Sequence, residues 1–475
     1  MVRPSRDPFD VLVIGGGPGG YVASIRAAQL GLTVACIEKG ETLGGTCLNV
    51  GCIPSKALLE SSNLFHMAST RLSAHGIATG GLTLDLPAMM SRKEGIVREL
   101  TSGIEFLFKK NKIEWIHGSA RLVSPVEVVV EGSEGVSTPV RAKAIVLATG
   151  SVPMELPDLA VDAKQVISST EALSLGQVPE HLVVVGGGAI GLELGLVWHR
   201  LGAQVTVLEM LPRIIPTADH QISRLLQRSL KAQGMRIHTG SRPTRVEPSD
   251  RGLRVIAEGK GKTAEFLCDK LLVAVGRRPC VRGLGLEGLG VKQDPASGRI
   301  QVDGRYATNV DGIYAIGDLI QGPMLAHKAQ EEGIAVAERI AGMQAEVNYR
   351  TIPSVVYTWP EVAGVGLTEE QAREEAKARG ARICVATSPF SANGRACCMD
   401  EKEGLVKIIA EEGSNRILGV HLIGPHASEL VAEAALAMEL NVPVQDIVRT
   451  CHAHPTLAEA IKEAALGILK RPLHA

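Results

Sequence analysis

Residues 9–20 read FDVLVIGGGPGG, an apolar run that stops on a glycine cluster and opens into an Ala-rich segment. Phe9–Ile14 has the length and near-continuous hydrophobicity of a strand buried on both faces. The pattern beyond it predicts a helix over Tyr21–Leu30 and a second strand over Thr33–Ile37, ended by Glu38. The same order returns downstream. Strand His181–Val185 leads into Gly186-Gly187-Gly188-Ala189-Ile190-Gly191, a helix to Leu201, and strand Gln204–Leu208 ended by Glu209. In both copies the first loop glycine (Gly15, Gly186) precedes the carboxylate by 23 positions. That order and spacing form the fingerprint of a dinucleotide-binding unit. The glycines let backbone approach a pyrophosphate, and the helix N-terminus favours its negative charge. The carboxylate can accept hydrogen bonds from ribose hydroxyls and would repel a 2′-phosphate, so Glu209 points to NAD over NADP.

Beyond the first loop lies GGTCLNVGCIPSK (44–56), with Cys47 and Cys52 five positions apart. An ideal helix separates residues i and i+5 by roughly 8.6 Å at Cα. A disulfide spans about 4.4–6.8 Å. The pair therefore needs an irregular first turn, or a loop leading into one. Gly44, Gly45 and Gly51 loosen the backbone there, and Pro54 suits a helical start. A dithiol this close to a dinucleotide loop points to electron exchange with a bound flavin. Two buried, reduced cysteines are the alternative. A metal site fits poorly, because zinc pairs sit closer together and no second pair follows at ligand spacing.

With 475 residues the chain is too long for one ordinary domain, and three or four are expected. A net charge of −1 and 3% aromatic residues give neither the basic field nor the stacking surface of a nucleic-acid binder. No apolar run reaches membrane-spanning length. Met1–Asp10 is polar and runs straight into the first strand, so no targeting peptide is expected. The other seven cysteines form no disulfide framework, which fits a reducing, cytoplasmic location. Ala144–Gly150 and Leu271–Gly276 look like returning strands that close the two nucleotide units. Helices are expected around Ala57–Leu72 and Leu86–Asn111, and period-two alternation marks Val126–Val130. Ser151–Leu159 reads as a connector, Gly312–Asp318 as a short strand entering an acidic turn, and Met324–Ala341 as a helix. From Pro353 the chain reads as a separate α+β domain with two amphipathic helices and a His-rich loop.

From Pro8 to Leu469 the chain resembles the two-dinucleotide-fold flavoprotein disulfide oxidoreductases, specifically their dihydrolipoamide dehydrogenase branch. The motifs that carry this are GGTCLNVGCIPSK (44–56), GGGAIGLELG (186–195), AVGRRP (274–279), AIGD (315–318) and CHAHPTLAEA (451–460). The resemblance implies an α/β chain with two Rossmann-like dinucleotide-binding domains, for FAD and NAD, plus a C-terminal α+β dimerisation domain. The expected division is 1–150 for the first part of the FAD domain, 151–280 for the NAD domain, 281–350 for the rest of the FAD domain, and 351–475 for the interface domain.

The same resemblance implies site roles. Cys47 exchanges with a dithiol substrate, and Cys52 lies against the flavin. Lys56 sits near the flavin and pairs with Glu193. His454 is the acid/base, oriented by Glu459; in this group it reaches the cysteines of the other subunit, so a homodimer is implied. Residue logic agrees with a histidine here. A thiolate attacks disulfides whereas a thiol does not, and imidazole titrates near neutrality. Pro455 suits the first turn of a helix, with His454 at its mouth and Glu459 a turn inside. His452 reads as structural. Glu38 binds the adenosine ribose of FAD and Asp318 its ribityl or pyrophosphate region. Backbone at Leu325, Ala326 and His327 faces the flavin ring, with Met324 beside it. The expected FAD contacts also include Gly15, Gly17, Gly20, Lys39, Gly45 and Thr46, then Gly118, Ala120, Thr149, Gly150, Ser151 and Gly317. For NAD they are Gly186, Gly188, Ile190, Gly191, Glu193 and Glu209, with Val275, Gly276 and Arg278. No metal is expected.

The implied reaction is oxidation of a protein-bound dihydrolipoyl group by NAD through a Cys47–Cys52 redox disulfide and FAD. The implied partner is a lipoylated acyltransferase or H-protein of a 2-oxo acid dehydrogenase or glycine cleavage complex. The alternatives are a glutathione- or mercuric-reductase-like enzyme, or a non-catalytic FAD-binding scaffold subunit. Cys397-Cys398 is a vicinal pair with no helper motif, and Tyr357-Thr358-Trp359-Pro360 reads as packing rather than a ligand patch.

Overall fold

The computed structural model describes residues 8–132, 135–156, 159–250, 252–259 and 261–474. The chain divides into two compact units, one made of residues 1–58, 85–154 and 276–347, the other of 59–84, 155–275 and 348–475.

The first unit is built on strands β1 (Phe9–Ile14), β2 (Val34–Glu38), β3 (Glu114–His117), β4 (Ser119–Ser124), β5 (Glu127–Glu131) and β6 (Ser137–Leu147), in the order β3-β2-β1-β6-β5-β4. β1 runs parallel to β2 and to the second half of β6, and Ile313–Ala315 also joins β6 in parallel. The first half of β6 instead pairs antiparallel with β5. This strand starts well before the expected Ala144, and its burial explains why. Ser137–Lys143 alternates between exposed and covered positions, as a one-sided sheet requires, whereas Ala144–Leu147 is buried on both faces. Ile145, Val146 and Leu147 are fully covered, each worth about 1.5–3 kcal/mol of burial.

Helix α1 (Pro18–Gln29) begins three residues earlier than its apolar periodicity suggests, because Pro18 occupies the first turn, where no N–H partner is needed. The cysteine segment forms two helices, α2 (Gly45–Val50) and α3 (Cys52–Thr70). Helix α4 (Leu86–Lys110) is capped by Asp85, whose carboxylate accepts from the Ala88 amide at 2.9 Å.

In the second unit, Arg236–Thr239, Gln204–Glu209, His181–Val185, Lys270–Val273 and Val166–Ile167 form an all-parallel sheet in that order. A three-stranded antiparallel meander follows over 241–268. The C-terminal part is a five-stranded antiparallel sheet, with Glu361–Gly366 and Ile417–Gly424 at its centre. It carries five helices among the described residues, not the expected two: Glu369–Ala378, Gly394–Cys398, Ala427–Glu439, Val444–Arg449 and Glu459–Ile468. Two of the extra ones are too short for an apolar period to register. Ser151–Leu159 also differs from a plain connector, since Ser151–Pro153 pairs antiparallel with Arg277–Pro279.

Candidate active site

The two glycine loops have nearly the same geometry. Gly15 and Gly186 sit at φ +107° and +108°, and a Cβ on either would run into the carbonyl of Ala148 or Ala274. Only glycine fits there. Each loop is then tied to its carboxylate. Glu38 accepts from the amides of Gly16 (2.7 Å) and Gly40 (2.8 Å), and Glu209 from Gly187 (2.6 Å) and Leu211 (2.7 Å). Both carboxylates are thereby fixed beside the loops with lone pairs left for a ribose. Such a cradle fits a dinucleotide in each unit.

In the first unit the cysteine segment is held directly on the glycine loop. The Gly44 amide donates to Gly16 O at 2.8 Å, and a Cβ on Gly45 would lie 2.6 Å from Gly17 Cα. Helix α2 breaks from α3 at Gly51, between the two cysteines and directly before Cys52. This is the irregularity their spacing demands. Gly51 abuts the Thr46 carbonyl, 2.8 Å from where a Cβ would be. Cys47 is partly buried and Cys52 exposed. A hydrogen bond with Cys52 and burial push the Cys47 thiol up from its ordinary value, while the nearby Lys56 ammonium opposes them. Lys56 thus stands beside the pair, one turn into α3.

The first unit also gathers Thr149, Gly150, Gly317, Asp318 and the Met324–His327 segment. Asp318 Oδ2 accepts from Ser151 Oγ at 2.5 Å, and Ser151 Oγ accepts in turn from Arg277 Nε at 2.7 Å. Arg277 donates a second bond to Ser151 O at 2.6 Å. Burial lowers the Arg277 pKa, opposed by Asp318 and then by Cys52 and Cys280. Arg277 is half-buried, whereas Arg278, expected at NAD, is exposed. Adjacent strand residues face opposite ways, so only one of the two arginines can reach Ser151. Lys39 is exposed, Ala120 is buried in the sheet, and Gly118 follows β3 at φ +149°.

In the second unit, Gly188 N-caps the Ala189–Arg200 helix, which carries Ile190 and Gly191. Glu193 is buried on that helix and accepts from the Tyr357 amide at 2.9 Å. Val275 lies in a bend two residues past the Lys270–Val273 strand. Trp359 of the aromatic patch donates to Glu401 at 3.0 Å, and Thr358 is buried, which makes this stretch internal structure.

His454 and Glu459 meet, but not as expected. Pro455 is outside any helix, which begins only at Glu459. The carboxylate at this first helical position folds the preceding loop back on itself. Its Oε1 lies 2.9 Å from His454 Nδ1 and its Oε2 accepts from the Thr456 amide at 2.8 Å. Burial opposes ionisation of Glu459, but the Thr456 amide and His454 outweigh it and hold the carboxyl below its ordinary value. A carboxylate only accepts, so Nδ1 carries a proton, and in the neutral ring Nε2 is left with the lone pair. The ring is 78% exposed and open to an incoming group. His452, by contrast, has both ring nitrogens engaged, with Thr450 O and Glu433. Cys397 and Cys398 are exposed thiols at the end of a short helix.

Residues 9–333 match pyridine nucleotide-disulphide oxidoreductases, and 352–465 match the dimerisation domain of the same group. The chain belongs to the pyridine nucleotide-disulphide oxidoreductase family. It is 50% identical over 470 residues to the mitochondrial dihydrolipoyl dehydrogenase of Pisum sativum, covering 98% of this chain and 93% of the relative. It is 51% identical over 462 residues to dihydrolipoyl dehydrogenase 3 of Pseudomonas putida, covering 97% and 98%. The solved structure of LpdA from Mycobacterium tuberculosis superposes with a TM-score of 0.88 at 26% identity, over 97% of this chain and 99% of that one.

Two buried residues escaped the sequence reading altogether. Lys328 and Glu332 have the i,i+4 spacing common on exposed helix faces, yet neither side chain is exposed.

Proposed function

We propose that this chain oxidises protein-bound dihydrolipoyl groups, using FAD in the first dinucleotide unit and NAD in the second. The observation that carries the reading is the cysteine pair pinned to the first glycine loop through Gly44 and Gly45. Bound FAD supplies the two-electron acceptor for the dithiol and the hydride donor for NAD.

The chain's own residues do the rest. Working from the oxidised enzyme, His454 Nε2 of one subunit takes a proton from a dihydrolipoyl thiol. The resulting thiolate attacks Cys47 Sγ, the Cys47–Cys52 bond breaks, and Cys52 leaves as a thiolate. The second lipoyl sulfur then attacks the first, its proton passing to the departing Cys47 sulfur, which closes the lipoyl ring and releases Cys47 as a thiol. Glu459 holds the imidazole in the required tautomer and steadies the charge it gains. Lys56 favours anionic sulfur beside it. Glu209 selects NAD by repelling a 2′-phosphate.

The working assembly is a homodimer formed through the C-terminal domain, serving a 2-oxo acid dehydrogenase complex. The lipoylated acyltransferase, or an H-protein in glycine cleavage, is the direct partner. Cytoplasmic residence is part of this proposal, and immunoblots of fractionated cells test it. The central experiment is NAD reduction by purified protein with dihydrolipoamide. A flavin-loaded protein that fails to turn over would sink the assignment.

A further inference from the structure

Lys328 and Glu332 lie one turn apart on the Ala326–Ile340 helix, both with side chains fully shielded from solvent. Lys328 Nζ is 3.1 Å from Glu332 Oε1. Both also grip one residue from opposite sides. The Gly317 amide donates to Glu332 Oε2 at 2.7 Å, and Lys328 Nζ donates to Gly317 O at 2.9 Å. Gly317 sits at φ +71°, and the next residue is Asp318. The same helix presses on the first dinucleotide loop. A Cβ on Gly19 would lie 3.0 Å from Ala329 O, and one on Gly333 would lie 2.5 Å from Gly19 O.

A buried ion pair is poor value as packing, since well-shaped apolar residues often give equal or greater stability. What apolar residues lack is the ability to fix the direction of a neighbouring peptide. Here the pair fixes both polar groups of Gly317, the residue that sets where the Asp318 carboxylate points. Ser151 and Arg277 hold the other end of that carboxylate.

We infer that Lys328 and Glu332 are positioning residues for the flavin, aiming Asp318 into the first dinucleotide site by clamping Gly317. The inference rests on the reading that FAD occupies the first glycine loop.

The test is a double-mutant cycle on full-length, flavin-stripped protein. Lys328→Met/Glu332→Leu is made with Asp318 intact and with Asp318→Asn. FAD affinity is read by titration of flavin fluorescence, and the melting temperature of the flavin-free protein is read alongside. With Asp318 intact, the paired change should weaken FAD about tenfold, within the usual range of coupling between contacting residues. With Asp318→Asn it should weaken FAD less than about twofold, because the clamp then has little left to aim. The flavin-free melting temperature should stay within a few degrees of the parent. Unchanged affinity, or equal losses in the two backgrounds, overturns the clamp. If the paired variant does not fold, Glu332→Gln takes its place, with the same coupling to Asp318 expected and the same equal losses overturning it. If Asp318→Asn alone leaves FAD affinity unchanged, the seating of FAD at the first loop fails, and the clamp with it.

Discussion

Replacing Glu209 by Gln asks how the second unit selects its nucleotide. Both oxygens of this buried carboxylate are engaged, with the Gly187 amide at 2.6 Å and the Leu211 amide at 2.7 Å. A carboxamide keeps one acceptor and turns an NH2 toward the other amide. Losing one charge-assisted hydrogen bond costs about 1.5–3 kcal/mol, which should lower the melting temperature and raise KM for NAD. The change also removes a negative charge beside the ribose position. Unit charges about 5 Å apart interact by roughly 1 kcal/mol in water and about 3 kcal/mol at an effective dielectric near 20. The ratio of kcat/KM for NADH over NADPH should therefore fall by about 5- to 150-fold. Initial rates with the two nucleotides measure it. Glu38→Gln is the internal control. It breaks the matching bonds to Gly16 and Gly40 in the first unit, so it should weaken flavin retention and leave the nucleotide ratio alone. A Glu209→Gln protein that still binds NAD and shows the parent ratio would refute the reasoning.

Cys47→Ser and Cys52→Ser should each abolish lipoamide turnover while the protein keeps its flavin; near-normal turnover by both would rule out the dithiol route. His454→Gln should lower kcat for lipoamide by about 10²–10⁴-fold, the usual span for an acid/base group, while NADH-driven reduction of a dye at the flavin stays close to the parent rate. Gly51→Ala should disturb the cysteine pair, because its Cβ meets the Thr46 carbonyl, and thiol titration of the flavin-stripped protein should find the two sulfurs no longer forming a rapid disulfide. The cluster of buried Asp219 and Lys407 with part-exposed Glu369 sets an acid limit on the second unit. Burial opposes ionisation of both carboxyls, but Lys407, joined by the Glu369 amide at Asp219 and by Arg373 at Glu369, outweighs it and holds each below its ordinary value, 3.8 for Asp219 and 4.5 for Glu369. A depressed folded value means the stabilisation is present above those ordinary values and is lost as pH falls through the folded ones. Melting temperature should therefore drop on acidification below about pH 4.5 more steeply in the parent than in Lys407→Met; parallel slopes would contradict the assignment.

The sequence by itself determined the two nucleotide units and the cysteine pair. Strand periodicity, positive-φ glycines and a carboxylate at fixed spacing are local requirements, so they are written locally. The break between Cys47 and Cys52 was demanded by spacing alone, and only its location at Gly51 needed coordinates. His454 and Glu459 are legible as a pair, but the helix begins four residues after Pro455, because a proline compatible with a first turn does not by itself start one. What only the tertiary structure decided concerns groups whose partners are distant in sequence. Arg277 reaches Ser151 because strand pairing turns its side chain inward. Lys328 and Glu332 follow a surface pattern, and they are buried because the fold lays their helix over Gly317 and the first loop. Burial is a property of the packed chain, and so is the meaning of a charge within it.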